Sequence, residues 1–147
     1  MLDLLAMAKE AELCLYSAYE NIELAEKVLF ELVRHQVDEE TLYWVAMALR
    51  EAIANAIKHG NKLSPEKRVF VRFQWEEERR MRITVEDEGE GFDPEQLADP
   101  RSPENLLKEN GRGVFYMRHF MEGVRFRRSP TGGTIVEMYK DLYGRNK

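Results

Sequence analysis

Three short motifs of this 147-residue chain carry side chains that can do chemistry. The first is LREAIANAIKHGNK, residues 49–62. If it is a helix, with about 100° of turn per residue, Glu51, Asn55 and Lys58 share the face opposite the apolar residues. Asparagine is a mediocre helix former, yet Asn55 lies mid-helix among alanines whose small side chains leave room for a ligand. This face therefore predicts either a ligand site or a plain solvated surface.

The second motif is DEGEGF, residues 87–92, directly after a predicted strand. Gly89 and Gly91 permit backbone conformations, or a close approach of other atoms, that a side chain would block. An aspartate at the end of a strand beside such a loop, here Asp87, can accept a hydrogen bond from the amino group of a base. An ordinary acidic turn is the alternative interpretation.

The third motif is GRG, residues 111–113, ahead of the predicted helix VFYMRHFME. Backbone N–H groups at the start of a helix favour anions such as phosphate, and Arg112 can add a charge-assisted contact. The lysine and glycine spacings of the Walker and Rossmann sequences are missing. A simple hinge between loop and helix explains this motif equally well.

Two helices should position the first motif. AELCLYS reads as a short strand, and Ser17 with Glu20 resembles a capping box that opens the first helix. Asp38 is the predicted N-cap of the second helix, which should end at Gly60 and Asn61. Both helices carry apolar residues at helical spacing: Ile22, Ala25, Val28, Leu29, Leu32 and Val33 in the first; Leu42, Val45, Ala46, Leu49, Ile53, Ala56 and Ile57 in the second.

Strands should position the other two motifs. RVFVRFQW and RMRITVE alternate with a period of two and predict a hairpin; GVRFRR and TIVEMYK, joined by SPTGG, predict a second one. Between the hairpins lies a long loop followed by the VFYMRHFME helix. This order predicts an α+β fold, a two-layer sandwich with helices on one face of a mixed, mainly antiparallel sheet.

Composition restricts the class of protein. The chain has 22 basic and 27 acidic residues, a net charge of −5, which disfavours general binding to nucleic acid. Cys14 is the single cysteine, so an intramolecular disulfide is impossible, and this fits a reducing compartment. The N-terminus lacks signal-peptide features, and no apolar run is long enough to span a membrane. We expect one cytoplasmic domain, residues 1–147, with no membrane partner.

The three motifs in this order, E-x-x-x-N-A-x-x-H-G, D-x-G-x-G-F and G-x-G before a helix, resemble the GHKL nucleotide-binding superfamily. EAIANAIKHG, DEGEGFDP and GRGVFYMRHFMEGVRF…GGTIVEMY look like the bacterial anti-sigma-factor serine/threonine kinases within it. The resemblance extends from the strand near Leu13 to Tyr139. It implies a Bergerat-type ATP-binding fold, with residues 1–9 as an N-terminal extension and about 93–112 as an ATP lid.

The resemblance also implies roles and ligands. Glu51 would be the catalytic residue that orients or deprotonates the attacking hydroxyl, and Asn55 would bind Mg²⁺ through its amide oxygen. Asp87 would accept from the adenine amino group of ATP. The remaining nucleotide-binding residues would be Lys58, Gly89, Gly91, Phe92, Gly111, Arg112, Gly113, Val114 and Thr134. His59 matches the first motif but should be structural, and a metal site built from His35, His59 and His119 is not expected.

The function implied is phosphorylation of a STAS-type anti-sigma-factor antagonist, with a sigma factor sequestered in the alternative complex. Two other functions stay open: an ATP-sensing binding module without phosphotransfer, and the ATP-binding half of a two-part histidine kinase. The histidine-kinase function has little support, because such a kinase needs a helical segment that carries the phosphorylated histidine. His35, near a helix end, is the only histidine before the motifs. Relatives suggest a homodimer through the first strand, with a contact from Leu2, Leu4, Leu5 and Met7. A basic group near the last hairpin is either a solvated face or a dock for an acidic partner: Arg118, Arg125, Arg127 and Arg128.

Overall fold

A computed structural model describes residues 9–33, 37–77, 79–93 and 112–142. Its five strands form one sheet in the order β1-β2-β3-β5-β4. The strands are β1 Glu10–Tyr16, β2 Arg68–Glu76, β3 Arg80–Asp87, β4 Gly123–Arg128 and β5 Thr134–Asp141. All four pairings are antiparallel. The predicted α+β architecture is confirmed, and the sheet in these ranges is wholly antiparallel rather than mixed.

Three helices accompany the sheet: α1 Glu20–Val33, α2 Glu39–Asn55 and α3 Arg112–Phe120. One face of the sheet is apolar because buried residues alternate with exposed or half-buried ones along β2 and β3. Its inward side chains join those of the helices in one core that includes Leu29, Leu49, Phe73, Ile83 and Met117. This packing is the two-layer arrangement predicted from the helical and strand periodicities of the sequence.

The two predicted helix starts have different outcomes. Asp38 is the N-cap of α2, because its carboxylate accepts a hydrogen bond from the Thr41 amide at 2.7 Å. The prediction of a capping box at Ser17 is wrong. The Ser17 hydroxyl donates instead to the Lys67 carbonyl at 2.6 Å, and α1 begins at Glu20.

The end of α2 is not regular. Ala56–Gly60 forms a π-helical turn, after which the Asn61 amide donates to the Ala56 carbonyl at 2.7 Å. Such a turn contains an extra residue and changes the direction of the side chains that follow it. The first motif therefore lies on an α-helix that widens at its last turn.

Some predictions concern residues outside the described ranges. These are nearly all of the 1–9 extension with its apolar side chains, His35, Gly111, and nearly all of the 93–112 lid. None of the helices in the described part of the chain has the length and apolar content needed to cross a lipid bilayer.

Candidate functional site

The polar face of α2 lines an open cleft of about 720 Å³ against α1. Glu51, Asn55 and Lys58 form one wall of this cleft, as the helical spacing predicts, and His59 also lines it. The opposite wall includes Tyr19, just before α1, and Glu20, Ile22, Glu23 and Glu26 from its first half. A carboxylate, an amide and an ammonium group thus face the same space.

Asn55 is buried in this wall without a hydrogen-bond partner of its own. Its side chain is 6% exposed, and no described residue accepts a hydrogen bond from its buried Nδ2. A buried amide group left unpaired lowers stability by about 1–3 kcal/mol. Neither helix propensity nor hydrogen bonding within the protein explains this asparagine, whereas a ligand that accepts a hydrogen bond from Nδ2 would.

Glu51 is the half-buried carboxylate of the same face. Burial raises the pKa of Glu51, and the positive charge of neighbouring Arg50 opposes that rise. Arg50 itself donates to Glu26 at 2.7 Å. A carboxylate with a raised pKa is a better proton acceptor than an ordinary glutamate, which suits a general base.

Asp87 lies at the end of β3 and is 1% exposed. Its Oδ1 accepts hydrogen bonds from the amides of Gly89, at 2.9 Å, and Thr134, at 3.2 Å. Burial raises the pKa of Asp87, while these two amide bonds and the charge of Lys67 oppose that effect. No described residue donates to Oδ2, so this oxygen can accept from a ligand.

Three glycines pack around Asp87 where a larger residue would not fit. A Cβ built on Gly60 would clash with the Asp87 carboxylate, and one built on Gly89 would clash with the Gly60 carbonyl. A Cβ on Gly133 would clash with the backbone oxygen of Asp87. The end of α2, the DEGEG loop and the β4–β5 hairpin therefore meet at this one carboxylate.

Phe92 closes the loop onto the same elements. Its amide donates to the Thr134 hydroxyl at 3.0 Å, and its ring lies 6.2 Å from that of His59 and 6.3 Å from that of Phe126. Burial, followed by the charges of Lys58 and Lys62, lowers the pKa of His59 and favours the neutral imidazole. The end of the first motif, the second motif and Thr134 thus lie against one another.

The third motif is only partly described. The helix predicted after GRG is α3, whose first residue is Arg112, and Val114 is buried in the core. Gly111 lies outside the described ranges, as do the surroundings of the Arg112 side chain. Arg112 and Gly113 of the motif thus form the first turn of this helix.

Comparison with known proteins identifies the family. Residues 15–140 match the histidine kinase-like ATPase domain. The chain belongs to this family. An anti-sigma F factor of Heyndrickxia coagulans is 35% identical over 100 residues, 65% of this chain and 67% of the relative. The serine-protein kinase RsbW of Bacillus subtilis is 34% identical over 104 residues, 67% of this chain and 63% of that kinase. These relatives place the chain among the anti-sigma-factor kinases.

Solved structures agree on the fold. The RsbU and RsbW domains of Rv1364c from Mycobacterium tuberculosis superpose with a TM-score of 0.65 at 16% identity, covering 92% of this chain and 33% of that one. The mycobacterial sensor histidine kinase MprB gives 0.54 at 16% identity, covering 90% of this chain and 99% of that one. At these identities the likeness shows the histidine kinase-like ATPase fold alone.

Within this ATPase domain, Asn61 has a role that its local sequence does not indicate. The side chain is 0% exposed, and Nδ2 donates to Ser17 Oγ at 2.8 Å and to the Arg68 carbonyl at 3.0 Å. Its Oδ1 accepts from the Glu88 amide at 2.8 Å. The sequence shows only an asparagine after a glycine at a helix end, which predicts a helix stop rather than a junction between helix, strand and loop.

Proposed function

We propose that this chain is an ATP-dependent serine/threonine protein kinase that acts as an anti-sigma factor. It phosphorylates a STAS-type antagonist protein and, in the alternative complex, holds a sigma factor in the cytoplasm. The supporting observation is the shared cleft wall of Glu51 and Asn55, on the helix whose far end packs against Asp87. The names of the relatives, anti-sigma F factor and serine-protein kinase, support both parts of the proposal.

In this proposal the adenine of ATP binds beside Asp87. Oδ2 accepts from the exocyclic amino group, because Oδ1 is already held by two backbone amides. Thr134, Phe92 and the glycines at 89 and 91 surround the base. The phosphates bind at the start of α3, near Gly111, Arg112, Gly113 and Val114, beneath the 93–112 lid and within reach of Lys58.

The donor set at α2 fits Mg²⁺. Asn55 would offer its side-chain Oδ1, since amide oxygen is a ligand that Mg²⁺ accepts alongside water and phosphate. The buried, unpaired Nδ2 of the same side chain can donate to a phosphate oxygen of the nucleotide. When bound, Mg²⁺ supplies the charge neutralisation that phosphoryl transfer requires. Asn55 would hold it from the cleft wall.

Glu51 then acts as the general base of the phosphoryl transfer. The acceptor hydroxyl of the antagonist donates its proton to Glu51 while its oxygen bonds to the γ-phosphorus, and the bond to the β-phosphate oxygen breaks to release ADP. Because burial raises the pKa of Glu51, the carboxylate accepts this proton more readily than an exposed glutamate would. General base catalysis of this kind contributes about 10²–10⁴-fold.

Phosphotransfer is tested with the purified chain, ATP, Mg²⁺ and a candidate STAS-type antagonist from the same organism. We expect phosphate on a serine or threonine of the antagonist, detected by mass spectrometry. Glu51→Gln should abolish transfer while ATP still binds, and Glu40→Gln, an exposed glutamate at the start of α2, is the matched control. If Glu51→Gln leaves regulation of the partner unchanged, the ATP-sensing module is the correct function.

The homodimer remains a separate proposal. β1 is an edge strand of the sheet, and a strand edge can pair with another chain. Sedimentation of the purified protein should give twice the monomer mass. A monomer at micromolar concentration would exclude this arrangement without affecting the kinase proposal.

A further inference from the structure

We infer that Arg128 is a positioning residue of the nucleotide site, holding the loop that carries Glu90 and Gly91. This inference rests on the proposed binding of ATP beside Asp87. Arg128 is the last residue of β4 and lies on the hairpin opposite the loop. It belongs to none of the three motifs.

Arg128 bridges two backbone carbonyls from different parts of the chain. Its Nη2 donates to the Glu90 carbonyl at 2.5 Å, and its Nε donates to the Gly132 carbonyl at 2.8 Å. Gly91 has a φ of 91°, and a Cβ built there would lie 2.6 Å from Arg128 Cζ. The guanidinium therefore occupies the space that the glycine leaves open and fixes the path of the loop.

The hairpin that Arg128 anchors is closed by its own hydrogen bonds. The Ser129 amide donates to the Gly133 carbonyl at 2.8 Å, and the Gly133 amide donates to Ser129 Oγ at 2.9 Å. Thr134, the next residue, donates its amide to Asp87 Oδ1. One hairpin thus holds both ends of the loop, Asp87 directly and Glu90 through Arg128.

The neighbouring arginine shows that this contact is specific. Arg127 precedes Arg128 on the same strand and is also exposed, yet its Nε donates to Glu137 at 3.0 Å on the sheet. A solvated basic face would not require a guanidinium to bind the carbonyl of a residue 38 positions earlier. Arginine suits this position because its planar fork reaches two acceptors at once, which the single ammonium of lysine does not do in one fixed geometry.

Holding the loop should act on binding rather than on the chemical step. Without Arg128 the segment from Glu88 to Phe92 gains freedom, and a nucleotide must order it on binding. The affinity for ATP falls, whereas the rate at saturating ATP is retained because Glu51 and Asn55 are untouched.

Three variants test this: Arg128→Gln, Arg128→Lys and the matched control Arg127→Gln. Calorimetric titration with ATP and Mg²⁺ should give a Kd about five- to tenfold weaker for Arg128→Gln and unchanged for Arg127→Gln. Arg128→Lys keeps the charge and should lose about threefold, since one of the two contacts remains. In phosphotransfer assays, Arg128→Gln should raise KM for ATP and leave both kcat and KM for the antagonist unchanged.

The following outcomes would overturn the inference. Equal ATP affinity of the Arg128→Gln and Arg127→Gln variants, with the parent protein binding ATP, overturns it. A fall in kcat and thermal stability with unchanged ATP affinity also overturns it, because Arg128 is then only structural. If Arg128→Gln does not fold, the lysine variant decides, and parental affinity there contradicts the two-carbonyl bridge. Absence of ATP binding by the parent protein contradicts the proposed function instead.

Discussion

Asn61 Oδ1 accepts a hydrogen bond from the Glu88 amide at 2.8 Å. This contact joins the end of the α2 segment to the residue after Asp87. The same side chain donates to Ser17 and to the Arg68 carbonyl, so one buried amide connects four segments of the chain. The position of Asp87 relative to α2 thus depends on a residue with no proposed contact to ATP.

Replacing this amide should destabilise the protein. We expect Asn61→Ala to lower the free energy of unfolding by about 2–4 kcal/mol, because it removes three hydrogen bonds at a fully buried position. Asn21→Ala is the control, since Asn21 makes one exposed bond to the Tyr16 carbonyl and should lose less than about 1 kcal/mol. Urea denaturation measures both. Equal losses would contradict the role of Asn61 as a junction.

Asn55 should behave in the opposite way. We expect Asn55→Ala to leave the free energy of unfolding unchanged or to raise it by about 1 kcal/mol, because an unpaired buried amide is removed and alanine favours the helix. Affinity for ATP with Mg²⁺ should fall at least about tenfold, seen as loss of the rise in Tm that ATP gives the parent protein. A variant that is both destabilised and fully able to bind would contradict the proposed Mg²⁺ ligand.

Glu51 should make both stability and activity depend on pH. Burial raises its pKa in the folded protein, so its contribution to stability is fully present below the ordinary glutamate pKa and lost as pH rises through the raised value. Glu51→Gln should therefore match the parent protein in acid and be more stable at neutral pH, as urea denaturation at the two pH values measures. Phosphotransfer by the parent protein should fall as pH drops through the raised pKa. A neutral-pH stability below that of the parent would contradict this assignment.

Substitution by alanine should have different effects on stability and ATP binding at Gly89 and at Gly132. A Cβ at Gly89 would clash with the backbone of Gly60, so Gly89→Ala should destabilise the protein by about 2–3 kcal/mol and abolish ATP binding. Gly132 has a φ of 100° but open space around it, so Gly132→Ala should cost about 1 kcal/mol of backbone strain. It should weaken ATP binding far less than Gly89→Ala, since the carbonyl of residue 132 can still accept from Arg128. Thermal unfolding with and without ATP separates the two. ATP binding by Gly89→Ala at parental affinity would contradict the packing described.

Periodicity was sufficient to predict the layers. All six apolar residues assigned to α1 are buried. β2 and β3 each end only one residue later than the strand predicted from the sequence. Asp38 caps α2 because an N-cap depends on residues within one turn, which a sequence displays directly. The shared face of Glu51, Asn55 and Lys58 likewise depends only on residue spacing along one helical segment, so the sequence displays it directly.

Long-range contacts were not predictable in this way. Ser17 has the spacing of a cap, but its hydroxyl binds Lys67, fifty residues away, because β1 pairs with β2 there. Arg128 looked like part of a basic surface, and its contact with Glu90 depends on how the hairpin faces the loop. A local pattern cannot show which of several polar residues will be buried by distant strands.

The widened turn at Ala56–Gly60 makes the number of residues in this segment as important as their identity. Deleting one residue there would remove the extra residue that the widened turn contains and displace Asn61 from its hydrogen bonds to Ser17 and Glu88. Single-residue insertions or deletions between α2 and β2 should therefore be tolerated far less well than substitutions at the exposed Lys62 or Leu63.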